Sequence, residues 1–239
     1  MINEVRNTVL SIINKDNNGF ITPDQFNLYA DIAQKEIFEG YFHDYSRAVN
    51  KRNAHMHTSG YGDITERLEE VISGFAYMGV PAYNGSTFNL GASEPLMYMI
   101  GTVTLTDTLT IVEKVPNNKV AYLRQSLDTA PSTEYPVYTL TEDGLTVYPS
   151  TITGVSPAPG ILMNYIRYPK TPKWTYNSIS GGEPFFNSAA VGYQDFELPA
   201  SDKFNLITRI LQYAGVEIRE ADVIKMAKTE EVQQKQEQQ

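Results

Sequence analysis

Twelve of the 13 prolines in this 239-residue chain lie between Pro81 and Pro199, and only Pro23 lies outside that stretch. Proline fixes its own φ, has no backbone donor and pushes the residue before it into an extended conformation, so no long helix can cross the middle of the chain. Charge divides the same way. Residues 81–199 carry 6 basic and 10 acidic residues, against 13 basic and 18 acidic in the remainder. Charge-dense, proline-poor flanks around a charge-poor, proline-rich middle predict an α+β fold, with N- and C-terminal helices forming a helical bundle around a central β-rich, sandwich-like domain. The expected divisions are 1–80 for the N-terminal helices, 81–199 for the β-rich domain, and 200–239 for the C-terminal helices that complete the bundle, with a polar tail. No repeat of the 20 to 50 residue kind is present.

Within the first flank, Val5, Val9, Ile12 and Ile13 recur at helical spacing over Asn3–Asn14, and Gly19 stops that helix. The next start signal is the clearest in the chain. Thr22 is placed as N-cap, Pro23 at the first helical position and Gln25 three residues after the cap, completing a capping box. Phe26, Ala30, Ala33, Ile37 and Tyr41 then mark one stripe of a helix that would be roughly 45 Å long if it persists to Asn53. A third helix is expected from Asp63 and Glu66, with Leu68, Val71, Ile72 and Phe75 on its apolar face, ending at Gly79 and Pro81. After Pro199, Ser201 is placed to cap a helix with Phe204, Ile207, Ile210, Leu211 and Ala214 facing inward and Gly215 ending it. A last helix is expected from Arg219. Its stripe of Val223, Met226 and Ala227 fades into Val232–Gln239, too polar to bury alone and either frayed or ordered by a partner.

The middle alternates. Met97, Met99, Val103, Leu105, Leu109, Ile111 and Val115 predict two half-buried strands between Leu96 and Val115, followed by a short helix over Lys119–Ser126. Val137–Leu140 and Leu145–Tyr148 around Glu142-Asp143-Gly144 read as a hairpin, and Ile161–Tyr168 as a further strand. Three Tyr-Pro dipeptides, Tyr135-Pro136, Tyr148-Pro149 and Tyr168-Pro169, are expected to open or close strands, either as plain punctuation or as aromatic contacts at a sheet edge. Tyrosine is the commonest aromatic, with 16 residues against 10 Phe and 1 Trp. It suits contacts between proteins and also serves as an ordinary strand former.

Composition excludes several classes. There is no cysteine, which removes disulfides, thiol nucleophiles, iron-sulfur clusters and cysteine zinc sites. A net charge of -9 excludes a simple basic nucleic-acid binder. No apolar run reaches the roughly 18 to 20 residues of a membrane helix. Glu4 and Arg6 interrupt any secretory core in Met1–Leu10, so neither a membrane span nor a signal peptide is expected.

The candidate chemistry is thin. Asn14–Gln25 has the length of a calcium loop between helices, with Gly19 at its sixth position. Its first, fifth and twelfth ligands would be Asn14, Asn18 and Gln25, leaving Asp16 as the sole carboxylate. His55 and His57, with His43 twelve residues before His55, form the only imidazole cluster, and no third ligand completes a site. Glu69 and Glu70 point apart on a helix, while Glu36 and Glu39 fall on an expected solvated face. Ser178–Gly182 lacks the strand and helix context of a nucleophile elbow or phosphate loop. The reading is therefore a non-enzyme with no catalytic, cofactor-binding or metal residue and no cofactor.

Two blocks carry a resemblance. Val5-Arg6-Asn7-Thr8-Val9-Leu10, Asn14-Lys15, Gly19-Phe20-Ile21-Thr22-Pro23, Gln25-Phe26-Asn27 and Glu36-Ile37-Phe38-Glu39 resemble the start of a structural protein recurring in crAss-like tailed bacteriophages. Gly160-Ile161, the run from Tyr165 to Trp174, and Phe196-Glu197-Leu198-Pro199 are similar to phage head-to-tail adaptor and tail-tube ring proteins. The resemblance covers most of the chain, least between Asn84 and Lys119. It implies a virion neck component, assembled in the bacterial host cytoplasm, that stacks as a homo-oligomeric ring, commonly twelvefold. Its implied neighbours are the portal and other neck or tail rings, with genomic DNA passing through the channel unbound. Two other classes compete: a decoration or receptor-binding module, and a degenerate calcium-binding protein.

Overall fold

The structure is a computed structural model that describes residues 1–15, 21–53, 64–90, 96–178 and 184–214. It is a mixed helix and sheet protein, consistent with α+β, and divides into two compact units. One joins the two ends of the chain, Met1–Ile72 with Pro169–Gln239; the other is Ser73–Tyr168.

In the first unit, α1 (Ile2–Lys15) buries Ile2, Val5, Val9 and Ile13, the i, i+3, i+4 spacing of one helical face. Helix α2 (Pro23–Asn53) starts at the expected capping box. The Thr22 amide donates to Gln25 Oε1 at 3.0 Å, and the Gln25 amide donates to Thr22 Oγ1 at 3.3 Å. Phe26, Ala30, Ala33, Phe38 and Tyr41 are buried along α2. Helix α3 (Ile64–Ser73) is shorter than expected. Its continuation, Ala76–Gly79, is strand β1, because Ala76–Gly79 pairs residue by residue with a strand some ninety positions later, and pairing overrides local helical spacing.

The second unit adds β2 (Met97–Leu105), β3 (Glu113–Lys114), α4 (Asn117–Gln125), β4 (Val137–Thr141), β5 (Gly144–Tyr148) and β6 (Ile161–Arg167). These make two three-stranded sheets, in the orders β1-β6-β2 and β3-β4-β5. Both sheets feed one buried cluster: Val103, Leu105, Ile161, Met163 and Tyr165 from the first, and Tyr138, Leu145 and Val147 from the second. The predicted hairpin forms with Thr141 opposite Gly144 and Val137 opposite Tyr148. Each Tyr-Pro dipeptide borders a strand: Pro136 precedes β4, Tyr148 ends β5 and Tyr168 follows β6. On its other face the second sheet is covered by α4, whose Val120 packs with Val115 and Val137.

The remaining elements return to the first unit. Strands β7 (Tyr176–Asn177) and β8 (Phe185–Phe186) pair antiparallel, and α5 (Lys203–Tyr213) packs on both α1 and α2. Two expectations for α5 need correction. Ser201 is not its cap: Ala200–Asp202 forms a 3-10 turn after Pro199, and Asp202 occupies the cap position with its carboxylate bonded to the Tyr41 hydroxyl. Phe204 does not face inward but is 74% exposed, since the buried face is Leu206, Ile210 and Leu211. The unit boundaries also fall away from 80/81 and 199/200. Residues 169–199, assigned by proline content to the middle, belong with the helices, because their polar groups bond to α1 and α2 as described below. The helix expected near Arg219 and the polar tail lie outside the described residues.

Gly144 carries a φ of +132°, and a Cβ there would stand 2.2 Å from the Phe88 carbonyl oxygen. That oxygen accepts the Leu145 amide at 2.9 Å, so the carbonyl cannot simply withdraw. Gly144→Ala is expected to destabilise the second unit by about 2 kcal/mol or more, from backbone strain and the clash together, measured by denaturant unfolding.

Candidate functional site

Helices α1 and α2 hold the 169–199 segment through side-chain amides, Asn3 and Asn27 half-buried and Gln34 fully buried. Trp174 is 1% exposed, and its backbone N–H donates to Asn27 Oδ1 at 2.8 Å while Asn27 Nδ2 donates back to the Trp174 carbonyl at 3.2 Å. The Asn27 side chain thus imitates a strand neighbour, satisfying both main-chain groups of one residue. The indole Nε1–H donates to Asn3 Oδ1 at 3.1 Å, and the Arg6 guanidinium lies 3.7 Å above the ring centroid. Tyr176 and Phe186 stack beside the same ring at 5.5 and 6.0 Å. Two helical turns further along α2, fully buried Gln34 donates to the Lys170 carbonyl at 2.8 Å and accepts from the Glu197 amide at 3.1 Å.

Asp195 closes the segment against α1. Its carboxylate accepts from the Met1 amino group at 2.9 Å, the Ile2 amide at 2.7 Å and the Phe196 amide at 2.8 Å. Burial opposes its ionisation, but the hydrogen bonds from Met1, Ile2 and Phe196 outweigh burial and hold the carboxyl below its ordinary range. Helix α5 is tied in by three contacts. Lys203 pairs with Glu4 at 2.7 Å, Arg209 pairs with Glu36 at 2.9 Å, and the Tyr213 hydroxyl donates to the same Glu36 at 2.9 Å. Glu36 therefore faces α5, not solvent as its spacing led us to expect. Burial, reinforced by the bond to Asp202, pushes the Tyr41 phenol far above its ordinary value.

The other sequence candidates are scattered. Gln25, the twelfth position of the calcium-like loop, spends its side-chain oxygen on Thr22, and Asn14 is exposed at the end of α1. Asp16, Asn18 and Gly19 lie outside the described residues, as do His55 and His57. His43 is exposed on α2, and Glu39, Glu69 and Glu70 are exposed on their helices. Ser178 is exposed, and the rest of the Ser178–Gly182 run is outside the described residues. Among the described residues, no group of three or more His, Cys, Asp or Glu is placed to hold a metal ion, and no helix is long and apolar enough to cross a membrane.

Open surface concentrates in the second unit. A cleft of about 640 Å3 between α4 and the 128–135 loop is lined by Lys114, Pro116, Lys119, Tyr122, Asp128 and Tyr135. Tyr122 and Tyr135 are 75% and 77% exposed, and Leu127, between them in sequence, is fully exposed. The 16 tyrosines thus split: Tyr41, Tyr138 and Tyr165 are core residues, whereas Tyr77, Tyr122 and Tyr135 reach solvent. The cleft brings two lysines, the carboxylates of Glu113 and Asp128 and two tyrosine rings together.

Two outcomes test the clasp. Gln34→Met leaves the Lys170 carbonyl and the Glu197 amide without their buried partner, so the helical unit is expected to lose about 2 to 4 kcal/mol in urea unfolding. For Asp195 the folded pKa is depressed, so its contribution is present above the unfolded value near 3.8 and is lost as pH falls through the folded value. Asp195→Asn should lower the melting temperature at neutral pH and flatten the loss of stability below about pH 4, followed by circular dichroism across a pH series.

No protein-family model matches the chain, and no curated protein matches it.

Proposed function

We propose that this chain is a non-enzymatic virion protein, a subunit of a ring in the neck of a crAss-like tailed bacteriophage, between portal and tail. The observation that carries the reading is where the resembling residues meet. Arg6 and Asn27 come from the first block and Trp174 and Glu197 from the second, and all take part in the contacts that hold the 169–199 segment in the helical unit. These residues of the two blocks lie in the unit built from both chain ends, while Gly160, Ile161 and Tyr165–Tyr168 of the second block lie in the other unit.

In the finer form of this reading, the terminal helices complete a bundle at the ring and the middle unit is a sandwich-like domain turned to subunit contacts. Copies assemble as a homo-oligomer, commonly twelvefold, next to the portal and other neck or tail rings. The net charge of -9 fits a wall that DNA slides past, since like charge disfavours phosphate binding. A ring whose inner wall is dominated by lysine and arginine would overturn that part. A second reading, a decoration or receptor-binding module, is favoured by the open Tyr122–Tyr135 cleft, which is the kind of aromatic surface that contacts carbohydrate.

Mass spectrometry of purified virions, combined with imaging of the neck, decides between them. The chain is expected in particles at ring stoichiometry and at the neck. Its absence from particles ends both readings, and its location on the head surface or on fibres transfers support to the second.

A further inference from the structure

The sequence holds two Asn-Gly dipeptides, Asn18-Gly19 and Asn84-Gly85, and the second lies among the described residues. Asn-Gly is the asparagine context most open to cyclisation, because a following residue without a Cβ leaves its backbone nitrogen free to reach the side-chain carbonyl carbon. Asn84 and Gly85 are both exposed, and Gly85 has a φ of +100° with nothing within 4 Å of where a Cβ would stand. Neither crowding nor burial shields this pair.

What holds the carboxamide is the turn itself. Asn84 Oδ1 accepts the Ser86 amide at 3.1 Å and the Thr87 amide at 2.8 Å, and Asn84 Nδ2 donates to Thr87 Oγ1 at 2.9 Å. On the main chain, the Asn84 amide donates to the Thr87 carbonyl at 3.0 Å, and the Asn89 amide to the Ala82 carbonyl at 2.8 Å. Thr87 is buried and donates its own hydroxyl proton to the Asp143 carbonyl at 3.3 Å. The next residue, Phe88, is fully buried and pairs with both Tyr83 and Leu145. The turn that fixes the Asn84 side chain therefore also seats a core ring.

We propose that Asn84 is a modification site gated by its own turn, its carboxamide cyclising onto Gly85 when the 82–89 segment opens and not while it is closed. In that step the Gly85 backbone nitrogen bonds to Asn84 Cγ and loses its proton, while the Cγ–Nδ2 bond breaks and the nitrogen leaves as ammonia. Water then opens the ring at one of its two carbonyls, giving aspartate or isoaspartate. The closed turn opposes the first step. Expelling Nδ2 breaks its bond to Thr87, and the ring draws Cγ onto Gly85 while its oxygen is tied to the Ser86 and Thr87 amides.

The two products differ in consequence. An aspartate keeps an oxygen for the Ser86 and Thr87 amides and loses only the donor to Thr87. In an isoaspartate Cγ joins the main chain and an extra methylene separates the residue's Cα from Gly85, so the loop leading into Phe88 no longer has its length. An opening is thereby recorded in a covalent change that hinders reclosure. The proposal is independent of the neck reading and concerns the durability of the second unit in any assembly.

Mass-spectrometric peptide mapping of the native chain, incubated at mildly alkaline pH, follows Asn84 separately from Asn18. Deamidation at Asn84 is expected to run at least about tenfold slower than in a synthetic peptide of residues 82–89 under the same conditions, because only the open fraction of the turn reacts. Thr87→Val removes the hydroxyl and keeps the shape; it should speed the reaction in the folded protein by roughly three- to tenfold and leave the peptide's rate unchanged. Thr87→Ser keeps the hydroxyl and should react at nearly the native rate. Equal rates in native chain and peptide overturn the proposal, as does a folded Thr87→Val chain that reacts no faster. If Thr87→Val does not fold, the comparison of native chain with peptide decides. Chain carrying isoaspartate is expected to unfold at lower urea than Asn84→Asp, and equal midpoints overturn the claim that the change hinders reclosure.

Discussion

The reciprocal bond between Asn27 and Trp174 is the constraint on which the helical unit depends. Among the described residues of 169–199 the main-chain pairing is short, the two-residue strands β7 and β8 and the Lys173–Gln194 bridge, so further main-chain groups need partners from elsewhere. Asn27 supplies two of them and Gln34 two more, each from a neutral amide carried by α2. Neutral amides avoid the heavy desolvation cost of buried charges, and they fix register because donor and acceptor must both match. By contrast, the pairs Lys35–Asp31, Lys203–Glu4 and Arg209–Glu36 are partly exposed, and such pairs contribute about 0 to 1 kcal/mol each. The ion pairs orient α5; the amides decide where the returning chain lies.

What was legible in the sequence was local. Thr22, Pro23 and Gln25 act within one helical turn, and the capping box is there. The hairpin at Glu142–Gly144 and the short helix now seen at Asn117–Gln125 likewise follow from neighbouring residues. Failures arise where the deciding partner is distant. Ala76–Gly79 becomes a strand only because β6 runs beside it, and Trp174 joins the helices only because Asn3, Arg6 and Asn27 wait there. Spacing alone put Phe204 inward and Glu36 outward, but α5 is rotated so that Arg209 and Tyr213 reach Glu36.

The two sheets of the middle unit contain the same problem solved twice. Each is apolar on its core side and mixed on its outer side, where Val137 faces Tyr148 but Thr139 faces Thr146 in the second sheet, and Met78 faces Asn164 in the first. For the β3-β4-β5 sheet the chain supplies α4, and Arg124 from that helix also lies 5.4 Å over the Tyr148 ring.

The way the middle unit is spliced into the chain has a kinetic meaning. It is entered through β1 and left through β6, which lie side by side, with the Arg167 amide bonded to the Phe75 carbonyl at 3.0 Å. Before the unit folds, bringing Trp174 to Asn27 means closing a loop of well over one hundred residues, and after it folds the intervening chain is pinched shut at its base. Part of the entropy of that long closure is then borne by strand pairing inside the insert, because the Phe75–Arg167 junction takes some ninety residues out of the loop that Asn27 and Trp174 must close.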